Sequence, residues 1–288
     1  IQNCNPTPEN PRVGNVTGIA TSNLHHLTTL NDAVVYGGGD AGNVAETKLT
    51  IKNTWDEPFK SIYGGCRAAD VVTANTTIEE LPHAADSPLT SGSVFGGNDV
   101  AGTVQNTNLT INGGVFDTIF GGGNGEYVYC ADQAAYEASS ATNKVLGCGA
   151  PYSEKVTVVI NDGRFKSNVY GGGNLGIVGK KATAVADYPA GFNIDAQTPD
   201  SYGWISLNVH GGEFLSNIFT GGRGDQAHKD ADPLFQVVYG LKQLNMDGGH
   251  VARSVYGGSE YVNDGYPAEC GKPTVNENPS ENQDPITY

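Results

Sequence analysis

Positive charge is what this chain has least of. Lys and Arg number 16 against 31 Asp and Glu in 288 residues, a formal charge of −15. So few cations cannot neutralise a phosphate backbone, and nucleic acid is excluded as the expected partner. Charge of either sign is sparse, at 16% of residues against a usual ~25%. No run of about 18 apolar residues occurs, so no transmembrane segment is expected. Glycine at every third position is also missing, which excludes collagen. There is one methionine, Met246, and the first residue is Ile1 with no charged-then-apolar leader, which fits a mature or excised piece.

Cysteine is present but odd in number: Cys4, Cys66, Cys130, Cys148 and Cys270. Cys130 and Cys148 bracket a non-repetitive stretch, and a disulfide closing it is expected. The odd count leaves at least one thiol free or paired outside the chain, and the pairing of Cys4, Cys66 and Cys270 stays open. Few lysines together with many Asn, Thr and Gly point to an extracellular or cell-surface location.

Glycine is in excess, with 40 residues, about twice the usual ~7%. Its placement is regular. A β-branched residue, an aromatic and a glycine pair recur as Val35-Tyr36-Gly37-Gly38, Ile62-Tyr63-Gly64-Gly65, Val94-Phe95-Gly96-Gly97, Ile119-Phe120-Gly121-Gly122, Val169-Tyr170-Gly171-Gly172 and Val255-Tyr256-Gly257-Gly258. Ile218-Phe219-Thr220-Gly221 is a seventh copy with one exception. A second signature alternates with period two: Leu49-Thr50-Ile51, Leu109-Thr110-Ile111, Val158-Val159-Ile160, Leu207-Asn208-Val209 and Leu244-Asn245-Met246. The last four run into Asn/Asp/His-Gly turns such as Asn112-Gly113-Gly114. Alternation with β-branched residues reads as strand, and those clusters as tight turns.

Spacing sets the topology. The second signature leads to the first in 8 residues (Ile111 to Ile119) or 9 (Ile160 to Val169, Val209 to Ile218, Met246 to Val255), which implies one uninterrupted face. The return link varies, from 16 residues (Val35 to Ile51) to 41 (Ile119 to Ile160). The shortest full unit, Phe95 to Phe120, is 25 residues, too short for a four-stranded propeller blade of roughly 40–50. The expected fold is all-β: a right-handed parallel β-helix, or solenoid, of about six to seven rungs with loop insertions on one side. Rungs stacked about 4.8 Å apart would put Val35, Ile62, Val94, Ile119, Val169, Ile218 and Val255 in one internal ladder. The neighbouring aromatics would form a second ladder, at least partly at the surface. The Gly-Gly pairs are expected to be corners that need positive φ and no side chain. Residues 1–30 would cap the stack, 31–262 form it, and 263–288, rich in Pro and Asn, act as a linker or peripheral wrap.

Function is expected in the insertions, placed at about 67–90, 124–155, 175–204 and 223–240, all leaving after the glycine corner. They carry many of the aromatics, and Trp204, Tyr202, Tyr188 and Tyr129, with Trp55, are the candidate ligand-binding residues. Such rings suit sugar stacking or a protein contact, or simply pack the loops onto the rod. Arg223-Gly224-Asp225 spells a cell-attachment tripeptide but falls at a recurring corner. Acidic and amide residues follow the corners at Asp40, Asn98, Asp99, Asn124, Asn174, Asp225 and Glu260. Calcium takes such oxygen ligands, yet the nonapeptide calcium spacing is missing, and an asparagine ladder is the simpler expectation. No catalytic constellation, cofactor loop or metal-spaced histidine pattern is evident, so no cofactor is expected, and a polysaccharide-degrading β-helix enzyme (lyase or glycoside hydrolase) is the minor alternative.

The corner Val/Ile-Tyr/Phe-Gly-Gly-Gly-Asn, followed by Leu-Thr-Ile-Asn-Gly-Gly and Phe-x-x-Ile-Phe-Gly-Gly-Gly, resembles the glycine-rich repeats of bacterial surface adhesin-like β-helix proteins of the Bacteroidetes type. Residues 94–124 carry it most fully, and it extends over roughly 35–260 in interrupted form. The resemblance implies a secreted or surface-anchored rod used for adhesion, glycan or protein contact, or as a segment of a larger surface fibre. Asp117-Thr118-Ile119 likewise resembles a short O-glycosylation site of that phylum.

Overall fold

The computed structural model describes residues 19–24, 33–52, 58–147, 149–179, 204–224, 237–238, 241–260 and 263–264. Two parallel sheets of ten strands each hold nearly all the strands, and successive strands of the chain alternate between them. One sheet contains Ile19–Leu24, Val44–Ile51, Val71–Ile78, Thr103–Ile111 and Tyr152–Ile160, then Ile177–Val178 with Trp204–Val209, Val237–Val238 with Leu241–Met246, and Asn263–Asp264. The other contains Val34–Tyr36, Phe59–Tyr63, Ser91–Phe95 and Val115–Phe120, then three split strands ending at His250–Val251 and Val255–Tyr256. Among the described residues the helix is confined to the single six-residue segment Gln133–Ala138. The chain is thus all-β, wound as stacked parallel strands.

Each strand pairs with its own equivalent one turn later. Val35 faces Ile62, Ile62 faces Val94, Val94 faces Ile119, Ile119 faces Val169, Val169 faces Ile218 and Ile218 faces Val255. The expected ladder is therefore present in full. Its five inner members are wholly buried, and they meet Leu49, Ile51, Leu109, Ile111, Val158 and Ile160 of the facing sheet in one continuous core. A further column lies deeper. Phe116, Phe165 and Phe214 stack at 5.9 and 4.7 Å between ring centroids, all inside that core.

The aromatic ladder beside the corner is continuous. Tyr36, Tyr63, Phe95, Phe120, Tyr170, Phe219 and Tyr256 stack at 4.7–5.2 Å with interplanar angles of 4–11°. The expectation that it lies partly at the surface is corrected: its five inner rings are 2–7% exposed. Each ring hides both faces against its neighbours, so only the end rings Tyr36 and Tyr256 retain open area.

The reason for the corner glycines is also corrected. Positive φ occurs at Gly114, Gly163, Gly212 and Gly249, in the turns after the second signature, and not in the Gly-Gly pairs. The first glycine of every pair but the last is instead fixed by close approach: a Cβ on Gly121 would stand 2.1 Å from the carbonyl oxygen of Gly171. Thr220 takes that place only in the last rung but one, where its hydroxyl donates to the Tyr256 carbonyl oxygen at 3.1 Å.

Two expectations about insertions change. The stretch 67–90 is not one excursion, because Val71–Ile78 is a full strand in register with Val44–Ile51 and Thr103–Ile111. Its pattern was hidden by Thr76, which occupies the buried column of Leu49 and Leu109. The link from the second signature to the first is also not uniform. Residues 79–90 lie between Ile78 and Ser91 and form an excursion at the opposite corner from the others.

Candidate functional site

One excursion leaves the stack on the side that follows the glycine corner, departing after Gly125 and returning at Tyr152. The insertions expected after the same corner in the next two turns fall at 180–203 and 225–236, outside the described residues. The corner is lined by an amide column. Asn174 donates to Asn124 Oδ1 and Glu126 Oε2 at 3.0 Å each, and Arg223 Nη1 donates to Asn174 Oδ1 at 3.3 Å. Asn98, fully buried, donates to the carbonyls of Ala69 and Ala101 and accepts from Cys66 N–H. These oxygens are engaged within the ladder, as the amide reading expected. Arg223 of the attachment tripeptide belongs to that ladder, and Asp225 lies outside the described residues.

The first excursion is an ordered unit. Val128–Cys130 pairs in parallel with Lys144–Leu146, and the short helix connects them, capped by Asp132, which accepts from Ala135 N–H at 2.8 Å. Lys144 Nζ donates to the carbonyls of Tyr136 and Ser139 and lies 4.5 Å over the Tyr136 ring. Its root is fastened by one carboxylate. Asp99, 4% exposed, accepts from the hydroxyls of Tyr36 and Tyr127, both at 2.7 Å, and from Asn124 Nδ2 at 3.1 Å. Asn124 Nδ2 also donates to the Tyr63 hydroxyl at 3.2 Å. Burial, reinforced by the Asp99 charge, pushes the Tyr36, Tyr63 and Tyr127 hydroxyls well above the ordinary phenol value of 10.0. Burial also raises Tyr129, whose hydroxyl donates to the Val100 carbonyl at 2.7 Å. This is an anchor: Asp99 and the ladder tyrosines fix the excursion, and the hydroxyls are held as neutral donors.

Of the residues singled out from sequence, Tyr129 is in this anchor. Trp204 opens the strand Trp204–Val209, half-buried, opposite Lys155 and Leu241, directly after the stretch 180–203. Trp55, Tyr188 and Tyr202 lie outside the described residues. The expected Cys130–Cys148 disulfide is corrected: Cys130 is a buried free thiol, 3.8 Å from the Val128 carbonyl oxygen. The register places Leu146, not a cysteine, opposite Cys130, and Cys148 lies outside the described residues. Cys66 is also free, and burial raises its thiol to about 11. The Tyr127–Asp99 contact was not foreseen, because no local pattern joins residues one rung apart.

At the opposite corner, residues 79–87 overhang a groove of about 940 Å³ lined also by Asn112, Asn161 and Asp162. His83 spans it, with Nε2 3.3 Å from Asp162 Oδ2 and Nδ1 3.0 Å from the Leu81 carbonyl oxygen. Asn161 Nδ2 donates to Asn112 Oδ1 at 2.7 Å along its floor. Among the described residues no group of three or more His, Cys, Asp or Glu could hold a metal ion, and no helix is long and apolar enough to cross a membrane. Comparison with protein families, curated proteins and solved structures finds no match to this chain.

Proposed function

We propose that this chain is an extracellular or cell-surface binding scaffold: a right-handed parallel β-helix, adhesin-like, that presents excursions from one edge to a glycan or protein ligand. The observation that carries the reading is the division of labour at that edge. The inner turns bury one continuous core, whereas the first excursion leaves after the glycine corner and is fastened at its root by Asp99 and two tyrosine hydroxyls. A rigid frame that holds variable stretches in fixed positions suits recognition. Trp204, directly after the expected insertion at 180–203, supplies a half-exposed ring beside it. Tyr188 and Tyr202 belong to that insertion and Trp55 to another stretch, and all four rings are candidates for stacking on sugar rings or apolar side chains.

The test is replacement of residues 180–203 by a short Gly-Ser bridge between Gly179 and Trp204, followed by glycan and surface-protein arrays. The expected result is unchanged thermal unfolding with loss of the signal seen for the full chain. Retained binding would remove that insertion from the recognition surface. Release of new reducing or unsaturated sugar ends by the full chain would replace the scaffold reading with an enzymatic one.

A further inference from the structure

Among the described residues, the large hydrophobic side chains left exposed are almost all at the two ends of the stack. Ile19 (60%) and Val34 (39%) lie on the first strands, and Met246 (37%), Val255 (44%) and Tyr256 (46%) on the last full turn; Val128, in the first excursion, is the exception. The inner members of the Met246, Val255 and Tyr256 columns are buried, whereas Ile19 and Val34 stand in outward-facing columns whose inner members, such as Glu46 and Ser61, are half-exposed. The two ends are also alike in sequence. One presents Val34-Val35-Tyr36-Gly37-Gly38 and the other Ser254-Val255-Tyr256-Gly257-Gly258.

The inner joints show what such an edge accepts. At each, a valine or isoleucine faces its equivalent and an aromatic ring stacks within 5.2 Å, and at all but the last, where Thr220 stands, a corner glycine receives a carbonyl oxygen of the following turn. A Cβ on Gly37, Gly64, Gly96, Gly121 or Gly171 would stand 2.1–2.5 Å from that oxygen, whereas a Cβ on Gly257 meets nothing within 4 Å. The place where a following turn would approach is open. Among the described residues, Val255–Tyr256 pairs only with Ile218–Phe219, and Val34–Tyr36 only with Phe59–Tyr63.

We propose that a second copy of this chain docks there, head to tail, its Val34–Tyr36 strand continuing the ladder on Val255–Tyr256 and its Ile19–Leu24 strand continuing the other sheet on Leu241–Met246. Movement along the stack axis keeps all strands parallel, so the new joint repeats the six inner ones. Exposed apolar edge strands favour such pairing, and an interface between unlike ends does not close, so the product is a linear chain of molecules.

The test is sedimentation velocity of the full chain over a concentration series, with V35K and Y256K made separately and circular dichroism used to confirm that both fold. The wild type is expected to form species that lengthen with concentration. Each variant alone is expected to be monomeric, because each has lost one of the two unlike ends. Mixing V35K with Y256K leaves one intact end on each and is expected to restore a dimer, and nothing larger. A wild type that stays monomeric at all concentrations overturns the proposal. So does a variant that still dimerises by itself, which would mean contact between like ends. Association that appears only after removal of residues 265–288 overturns it as well, by showing that the chain's own terminal segment occupies the site.

Discussion

The substitution Gly121→Ala tests why glycine recurs at the corners. Its Cβ would stand 2.1 Å from the Gly171 carbonyl oxygen and 2.6 Å from methyl groups of both Val156 and Val158. Ordinary contact begins near 3.4 Å, so the two turns must separate by 3.4 − 2.1 = 1.3 Å. That is about a quarter of the ~4.8 Å strand spacing. The backbone bonds Gly121 N–H to Tyr170 O (2.9 Å) and Gly122 N–H to Gly172 O (3.0 Å) would stretch beyond useful length. Overpacking costs about 1–3 kcal/mol and each buried backbone bond about 1 kcal/mol, so a loss of about 3–5 kcal/mol is expected. That is a large share of the roughly 5–15 kcal/mol that separates most native domains from their unfolded chains. Gly42→Ala is the control, since nothing lies within 4 Å of its Cβ and its φ is not positive. It should stabilise by about 0.4–1 kcal/mol through the unfolded chain. Urea unfolding followed by tyrosine fluorescence and circular dichroism measures both. If Gly121→Ala costs less than about 1 kcal/mol, close approach between turns does not select the corner glycines, and the reasoning fails.

Other outcomes follow from named contacts. Asp99→Ala removes the shared acceptor of Tyr36, Tyr127 and Asn124; a loss of about 3 kcal/mol is expected, with early proteolytic cleavage inside 126–147. Thr76 and Thr107 bury hydroxyls that have no partner among the described residues, so Thr76→Val should raise stability by about 1 kcal/mol in the same urea assay. Alkaline titration should show late phenolate absorbance. The neutral forms of Tyr36, Tyr63, Tyr127, Tyr129 and Tyr170 are favoured by the fold, so their contribution is complete below 10.0 and is lost as pH rises beyond it. Cys66, raised from 9.0 to about 11, contributes in the same sense from pH 9 upward and should resist alkylation until the chain unfolds.

The ladder was legible in the sequence because it is written seven times in residues that face one another. Val35 through Val255 fall in a single column, and the register followed from the repeat alone. What escaped depended on exchange within a column or on contact across it. Thr76 broke the apolar alternation of its strand and disguised a full turn as an insertion. The buried phenylalanine column was present as Phe59-x-x-Ile62 and Phe116-x-x-Ile119, but the spacing lengthens by one at Phe165 and Phe214, where the strand splits in two. The Asp99 anchor joins residues 28 and 63 positions away. The corner glycines were recognised for the wrong reason, since close approach and positive φ select the same residue.

The register on either side of residues 180–203 is unusual. Val178 lies opposite Ser153, and Trp204 opposite Lys155, so two positions separated by 25 residues in the sequence align with two that Glu154 alone separates one turn earlier. In the following turn, with Val238 and Leu241 aligned to the same two positions, two residues suffice. The two stems are therefore about 7 Å apart whatever the length between them. A graft site has that property: each doubling of an inserted segment costs only about 0.6 kcal/mol of closure entropy. The joint between Val178 and Trp204 is thus a socket, able to take segments of different length and chemistry while the register around it stays unchanged.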